Sequence, residues 1–154
     1  MSKKYSRSRK RAKSAAKEAF IPMMRELARA YQAFTDYSAK HIRKLNLTPS
    51  QFDVIATLGN TDGMNMTDLA AKTLVTKGTL TGIIDRLEKK GIVARVIPPE
   101  NRRSFMIILT PEGEKTFNTV FPAHIDYLKE RFDRLSAKEL EDTRQALEIL
   151  RKLF

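Results

Sequence analysis

Apolar side chains recur at three- and four-residue intervals between residues 18 and 46, and this spacing predicts one long amphipathic helix. A second helix should begin after Thr48, because threonine is a good N-cap and Pro49 suits the first helical position. Gln51 can complete a capping box with that threonine. The turn-forming run 59–63 should end this helix.

Two further helices should follow, separated by a short turn. Thr67 is predicted to cap a helix over residues 68–73, and Thr76 is predicted to cap another over residues 77–90. Gly91 fits the position just after that helix, where the backbone commonly turns left-handed.

The pattern then changes to β-branched runs at residues 92–97 and 104–109, which predict two strands. The polar segment 98–103 separates them, so the pair should form a hairpin with a long tip. Helical spacing returns at Pro111, and a capping box over residues 136–139 should begin a last helix.

These elements predict a mainly α fold with a small β-hairpin wing, a winged helix-turn-helix with about six helices. The DNA-binding part should span about residues 48–110. The helices before and after it, about residues 18–46 and 111–154, carry more large apolar side chains than one small winged helix can cover. We therefore expect residues 18–154 to form a single domain whose N- and C-terminal helices make a homodimer.

The charge of the 154-residue chain is unevenly placed. There are 29 Lys and Arg against 18 Asp and Glu, and residues 1–17 hold eight of the basic residues and no acid. We expect this segment to be a disordered basic arm that touches phosphates without sequence preference, although an organelle transit peptide has a similar composition. The longest apolar run, residues 105–109, is too short to span a membrane, so no membrane partner is expected.

Composition excludes cysteine chemistry and gives little support for a histidine metal site. The chain has no cysteine, which rules out a disulfide, a thiolate nucleophile and a cysteine-ligated metal. Its only imidazoles, His41 and His124, lie far apart in the sequence, so they form no metal-binding motif and are expected to be packed or interfacial. No acid pair or nucleophile–base pair can be placed. The sequence therefore predicts no enzyme, no cofactor and no metal.

The fourth predicted helix has two different faces. Its apolar face is formed by Leu80, Ile83, Ile84 and Leu87. Its free face carries Lys77, Gly78, Thr79, Thr81, Gly82, Asp85 and Arg86. Such a helix can enter the DNA major groove, because threonine methyls and hydroxyls meet thymine methyls and base acceptors while glycine lets the backbone approach. An ordinary solvated helix is the alternative for this segment alone.

We expect contacts with double-stranded DNA from both the helices and the wing. The helix residues are Lys77, Thr79, Thr81 and Arg86 at the major groove, with Thr67 and Thr76 binding phosphates at helix N-termini. Arg102 and Arg103 stand at the hairpin tip, where their charge suits phosphates or a narrow minor groove, and Arg95 should reach the DNA backbone. An arginine-rich turn paired with Glu100 is the alternative for the tip.

Five runs in this order resemble the MarR family of bacterial transcription regulators: residues 66–70, 77–81, 85–93, 101–103 and 109–113. The resemblance follows the element order over about residues 20–152. It implies a homodimer whose two winged-helix DNA readers are joined by the first and last helices. Such dimers bind inverted repeats near promoters, usually as repressors, and often release DNA when a small phenolic or other anionic effector binds.

The wing departs from the family pattern at one position. The family usually has Asp-x-Arg there, and this chain has Asn101 in place of the acid while Arg103 matches the arginine. Asparagine can hydrogen-bond a guanidinium but brings no charge, so we expect a less rigid wing that still contacts DNA through Asn101, Arg102 and Arg103.

Together these observations predict a cytoplasmic, sequence-specific DNA-binding regulator of transcription that acts as a homodimer. The alternative is a basic nucleic-acid coat or RNA-associated protein that binds without sequence preference. The basic arm is the best support for that alternative, whereas the threonine- and glycine-lined helix face argues against it.

Overall fold

The computed structural model describes residues 13–98 and 105–154, except for the side chain of Lys77. Most of the predicted basic arm and the wing-tip residues Asn101, Arg102 and Arg103 lie outside the described residues. The helices of seven or more residues and the strands are α1 (Phe20–Lys44), α2 (Pro49–Leu58), β1 (Met64–Asn65), α3 (Met66–Lys72), α4 (Lys77–Lys89), β2 (Val93–Val96), β3 (Met106–Leu109), α5 (Pro111–Phe132) and α6 (Ala137–Arg151). The chain divides into two compact units, residues 1–37 and 38–154.

The described part of the first unit is helical. Residues 13–15 form a turn of helix and residues 16–17 a turn, so the end of the predicted disordered arm has local structure. Ala15 and Ala16 favour this because alanine has the highest helix propensity. From Phe20 onward α1 exposes its large apolar side chains to solvent, namely Phe20, Met23, Met24, Leu27, Tyr31 and Phe34.

The second unit contains a three-stranded antiparallel sheet in the order β1-β3-β2. β2 and β3 form the predicted hairpin, with Val93 opposite Leu109 and Val96 opposite Met106. Both strands are shorter than their β-branched runs. The sequence pattern gave no sign of β1, which has two residues and pairs Met64 with Ile107.

The core of this unit lies between α2, α3, α4, α5 and the sheet. Its fully buried side chains are Val54, Ile55, Leu58, Leu69, Leu80, Ile83, Ile84, Leu87, Val93 and Ile107. The predicted apolar face of the fourth helix is thereby confirmed. These contacts fix α4 in one orientation, because any rotation about its axis would expose part of that face to water.

Helix starts follow the predicted caps with one exception. Thr48 and Gln51 form the predicted capping box of α2. Thr67 does not cap α3, because Asn65 holds that position and its side-chain oxygen accepts the amide hydrogens of Thr67 and Asp68, each at 2.9 Å. The helix therefore begins at Met66, directly after β1. Thr76 is the N-cap residue of α4, as predicted, but its side chain makes no capping hydrogen bond.

Thr110 joins the wing to the start of α5. Its hydroxyl donates to the carbonyl oxygen of Gly91, and its amide donates to the carbonyl oxygen of Ile92 at 3.0 Å. The same hydroxyl accepts the amide hydrogen of Gly113 at 3.0 Å and caps the helix. A Cβ at Gly113 would lie 2.0 Å from the carbonyl oxygen of Ile92, so only glycine fits there.

The C-terminal helix is largely exposed, with only Glu148 and Leu150 half-buried. No residue of α6 is buried, although the helix and the residues after it carry Leu140, Leu147, Ile149, Leu153 and Phe154. Across the part of the chain that the structure describes, no helix has the length and apolar character needed to cross a membrane.

Gly113→Ala should lower the free energy of unfolding by about 2 kcal/mol. The clash of the new methyl group with the backbone of Ile92 destabilises the protein more than the higher helix propensity of alanine stabilises it. Urea unfolding measures the difference. Gly78→Ala is the matched control, since nothing lies within 4 Å of a Cβ at that position. If Gly113→Ala were as stable as the wild type, α5 would not pack this closely on Ile92.

Candidate nucleic-acid interface

The turn between α3 and α4 is attached to α2. The carboxylate of Asp53 accepts the amide hydrogen of Leu74, with 2.7 Å between Oδ2 and N. Burial raises the pKa of the Asp53 carboxyl, and the hydrogen bond from Leu74 offsets only part of this effect. The carboxylate therefore fixes the backbone just before α4, while the Leu74 side chain stays 84% exposed.

The face of α4 opposite the core is open to solvent. Its exposed residues are Thr76, Gly78, Thr79, Thr81, Asp85 and Arg86, and Gly82 is half-buried. The structure thus brings the predicted major-groove residues together on one exposed face, apart from Lys77, whose side chain lies outside the described residues. Small side chains dominate the N-terminal half of this face, so a partner can approach the helix backbone there.

Two contacts organise this face. The hydroxyls of Thr76 and Thr79 are 2.9 Å apart, so the first turn of α4 presents two linked hydroxyl groups. One turn later, Nη1 of Arg86 lies 3.7 Å from the place that a Cβ on Gly82 would occupy. The Arg86 guanidinium therefore lies beside the backbone of Gly82, on the exposed surface of the helix.

Thr67, the other predicted phosphate contact, is exposed in the first turn of α3. Its amide hydrogen is already bound by Asn65, so only its hydroxyl is available to a phosphate. The helix N-terminus at this position is therefore satisfied within the protein.

The side chain of Arg95, which was predicted to reach the DNA backbone, is bound to acidic residues of the protein itself. Its guanidinium binds the carboxylates of Asp85 and Glu88, both on α4. It also lies over the ring of Phe105, with 5.8 Å between Cζ and the ring centroid. The partners are seven and ten positions away in a different element, so no local pattern in the sequence indicated this arrangement.

The strand pairing of the wing ends at Val96 and Met106, and the described residues continue to residue 98 and resume at residue 105. The predicted tip residues Asn101, Arg102 and Arg103 belong to the connection beyond that pair and lie outside the described residues. Their DNA contacts remain predictions.

Comparison with known sequences identifies the family of the chain. A sequence model described as MarR family matches residues 47–105. The HTH-type transcriptional regulator MhqR of Bacillus subtilis (strain 168) is 32% identical over 115 residues, which cover 75% of this chain and 79% of that protein. The homoprotocatechuate degradative operon repressor of Escherichia coli is 33% identical over 92 residues, or 60% and 62% of the two chains. The chain belongs to the MarR family.

Solved structures agree. AbsC, a MarR family transcriptional regulator from Streptomyces coelicolor, has a TM-score of 0.77 at 26% identity, covering 84% of this chain and 90% of AbsC. Sco3205, a MarR family regulator from the same organism in complex with DNA, has a TM-score of 0.76 at 25% identity, covering 84% of each chain. BpsR of Bordetella bronchiseptica, whose DNA binding is regulated by 6-hydroxynicotinic acid, has a TM-score of 0.71 at 25% identity, covering 90% of this chain and 94% of BpsR.

Membership of the MarR family makes the chain a transcription regulator with a winged-helix DNA-binding fold, and not an enzyme. In this MarR protein α3 and α4 form the helix-turn-helix and the β2–β3 hairpin forms the wing.

A second cluster of polar groups lies between α1 and α5 of this MarR protein. Nδ1 of His41 and Nδ1 of His124 are 3.0 Å apart, and Nε2 of His124 lies 3.0 Å from the hydroxyl of Ser38. The ring of His41 stacks on the ring of Tyr127. The rings of Phe52 and His124 form a T-shaped pair, with 4.7 Å between their centroids. One imidazole must donate and the other accept, so the hydrogen bond between the two nitrogens requires at least one neutral ring.

The sequence could not reveal this cluster, because its two histidines are 83 positions apart. His124 is only 3% exposed, which agrees with a packed role. Within residues 13–98 and 105–154, no three His, Cys, Asp or Glu side chains are grouped closely enough to hold a metal ion.

The His124 cluster should make stability depend on pH. Burial, and secondarily the charge of His41, lower the pKa of His124 below its ordinary value of 6.5. The unfolded chain therefore takes up a proton at a higher pH than the folded chain. The stability that the neutral ring provides is present above about pH 6.5 and is lost as the pH falls through the lower folded value.

The free energy of unfolding should accordingly decrease more for the wild type than for His124→Gln between about pH 7.5 and pH 5.5. Urea unfolding at one fixed protein concentration measures both proteins, and the variant controls for all other titrating groups. Equal decreases would show that the proton affinity of His124 is the same in the folded and unfolded chains.

Proposed function

We propose that this MarR protein represses transcription by binding an inverted-repeat operator in double-stranded DNA as a homodimer, and that a small anionic or phenolic effector releases it. The observation that carries the proposal is the division of α4 into a fully buried apolar face and an exposed polar face of small residues, Arg86 and Asp85. That division leaves one face of the helix free for the major groove.

In this proposal the exposed face of α4 reads base edges while flanking residues hold the phosphates. The major-groove residues are Lys77, Thr79, Thr81 and Arg86. The phosphate-binding residues are Thr67 and Thr76, and the wing contributes Asn101, Arg102 and Arg103. Phosphate contacts set the register of the protein on DNA, whereas base contacts at the groove provide the specificity.

The homodimer is supported by apolar surface that the single chain leaves uncovered. In the second unit, exposed apolar side chains follow one another from α5 through α6, namely Ile125, Phe132, Leu135, Leu140, Leu147, Ile149, Leu153 and Phe154. The start of α1 in the first unit has the same character. A two-fold dimer built on such surfaces would present two α4 helices to two half-sites about one DNA turn apart.

Two relatives support the finer parts of the proposal. The Escherichia coli relative is named as a repressor of a degradative operon, and the DNA binding of BpsR is regulated by 6-hydroxynicotinic acid. That compound is a small hydroxylated aromatic acid, which is the chemical class of effector we propose here. This function implies that the protein acts in the cytoplasm.

A nucleic-acid coat protein without sequence preference is the second candidate, favoured by the eight basic residues of segment 1–17. Selection of the purified protein on a random DNA library at about 150 mM salt distinguishes the two, because this salt concentration weakens loose phosphate contacts. An enriched inverted repeat would support the regulator. Recovery of DNA without any motif would support the coat protein.

Gly82→Ala should separate DNA binding from stability. Alanine in a helix interior is about 1 kcal/mol more favourable than glycine, so the variant should be more stable than the wild type. Its methyl group would meet an approaching base edge, so affinity for the selected DNA should fall about fivefold or more. Fluorescence anisotropy and urea unfolding measure the two effects.

Because Gly82→Ala gains stability, unfolding cannot explain weaker binding. Asn118→Ala, at an exposed position within α5, controls for an alanine replacement outside the interface. Unchanged DNA affinity of Gly82→Ala would place this face of α4 away from the groove.

A further inference from the structure

Arg95 connects the wing to α4 through three groups. Its Nη2 lies 2.5 Å from Oδ1 of Asp85, and its Nη1 binds Oε2 of Glu88. The face of its guanidinium is covered by the ring of Phe105, the residue just before β3. The Arg95 side chain is 26% exposed, so these contacts lie partly out of water and are stronger than those of a fully exposed ion pair.

Glu88 also binds the backbone of the wing. The amide hydrogen of Arg95 is donated to Oε1 of Glu88 at a distance of 3.4 Å. Among the described residues β2 is an outer strand of the sheet, so amide groups on its outer side have no strand there to pair with. Glu88 therefore holds both the main chain and the side chain of β2 against α4.

The two carboxylates lie on the helix that carries the DNA-facing surface. Asp85 is 50% exposed and Glu88 is 39% exposed, and they follow Thr81 along one side of α4 at spacings of four and three residues. DNA phosphates within a Debye length, about 8 Å at physiological salt, would be repelled by two unpaired carboxylates at this place. Among the described residues, Arg95 is the cation that pairs with them.

We propose that Arg95 is a positioning residue for DNA binding, which holds the base of the wing against α4 and offsets one of the two negative charges of Asp85 and Glu88, so that they repel DNA less. The inference rests on the proposed function, and it replaces the direct contact with the DNA backbone that the sequence suggested for Arg95. A direct contact would use the guanidinium charge on a phosphate. A positioning residue instead pairs its charge with the carboxylates of the protein itself.

A double-mutant cycle separates these two roles. The variants are Arg95→Gln, the pair Asp85→Asn with Glu88→Gln, and all three substitutions together. Binding is measured by fluorescence anisotropy on the duplex enriched in the random-library selection, and on a random-sequence duplex of about 30 base pairs, at several salt concentrations. Circular dichroism and thermal unfolding show that each variant is folded.

Arg95→Gln should weaken binding by about tenfold or more. Removing both carboxylates should then restore affinity by about tenfold in the Arg95→Gln protein, where only their repulsion of DNA is lost. It should change affinity by less than about threefold in the wild type, where the contacts that hold the wing are lost together with the repulsion. If Arg95 contacted DNA directly, removal of the carboxylates would change affinity by the same factor in both backgrounds. That result would overturn the proposal.

Arg86→Gln is the matched control, because Arg86 lies on the same helix and no ion pair is recorded for it within the described residues. In that background, removing Asp85 and Glu88 should produce no rescue beyond its effect on the wild type. Arg95→Lys should be intermediate, because a lysine ammonium cannot form the planar two-sided contact of a guanidinium.

Hydrogen exchange supplies a measurement that does not depend on DNA. Exchange of the β2 and β3 amides should be faster in Arg95→Gln than in the wild type, and Arg86→Gln should leave it unchanged. Unchanged exchange in Arg95→Gln would contradict the positioning role. If the library selection returned no motif, the proposed function would fail, while the cycle on the random-sequence duplex and the exchange rates would still decide the role of Arg95.

Discussion

The burial of one face of α4 is the constraint on which the rest of the interface depends. Leu80, Ile83, Ile84 and Leu87 are each at most 2% exposed, and each contributes roughly 1.5–3 kcal/mol by leaving water. That energy sets the rotation of the helix and leaves the opposite side outside the core. Gly78 and Gly82 lie there despite a cost of about 1 kcal/mol for glycine within a helix. A sequence under selection for stability alone would have alanine at these positions.

The sequence predicted those parts of the fold whose signals are local. The capping box of Thr48 and Gln51, the apolar row of α4 and the start of the helix at Pro111 each depend on residues within a few positions of one another. The predicted start of α3 was wrong because two residues, Asn65 and Thr67, can both act as its N-cap. Asn65 occupies the capping position because it is the last residue of β1, and the pairing of β1 with β3 joins residues more than forty positions apart.

The site shows the same division between local and distant information. Helical periodicity alone placed Thr79, Thr81 and Arg86 on one exposed face. It could not show that the charge of Arg95 is used within the protein, since that depends on how the wing folds back on α4. The contact between His41 and His124 likewise depends on α1 and α5 meeting, which no spacing in the chain encodes. Family membership explains the architecture but leaves the individual DNA contacts as predictions.

Thr110 has a mechanical consequence. One side chain closes the hairpin, through Gly91, and begins α5, through Gly113, so the base of the wing and the first turn of α5 share a single pivot. α5 then continues without interruption for 22 residues, about 33 Å, and passes His124 on the way. Pro122 lies inside this helix, two residues before His124, and removes one of its backbone hydrogen bonds. Because Thr110 binds both elements, the first turn of α5 cannot be displaced without moving the base of the wing or breaking the hydrogen bonds of Thr110.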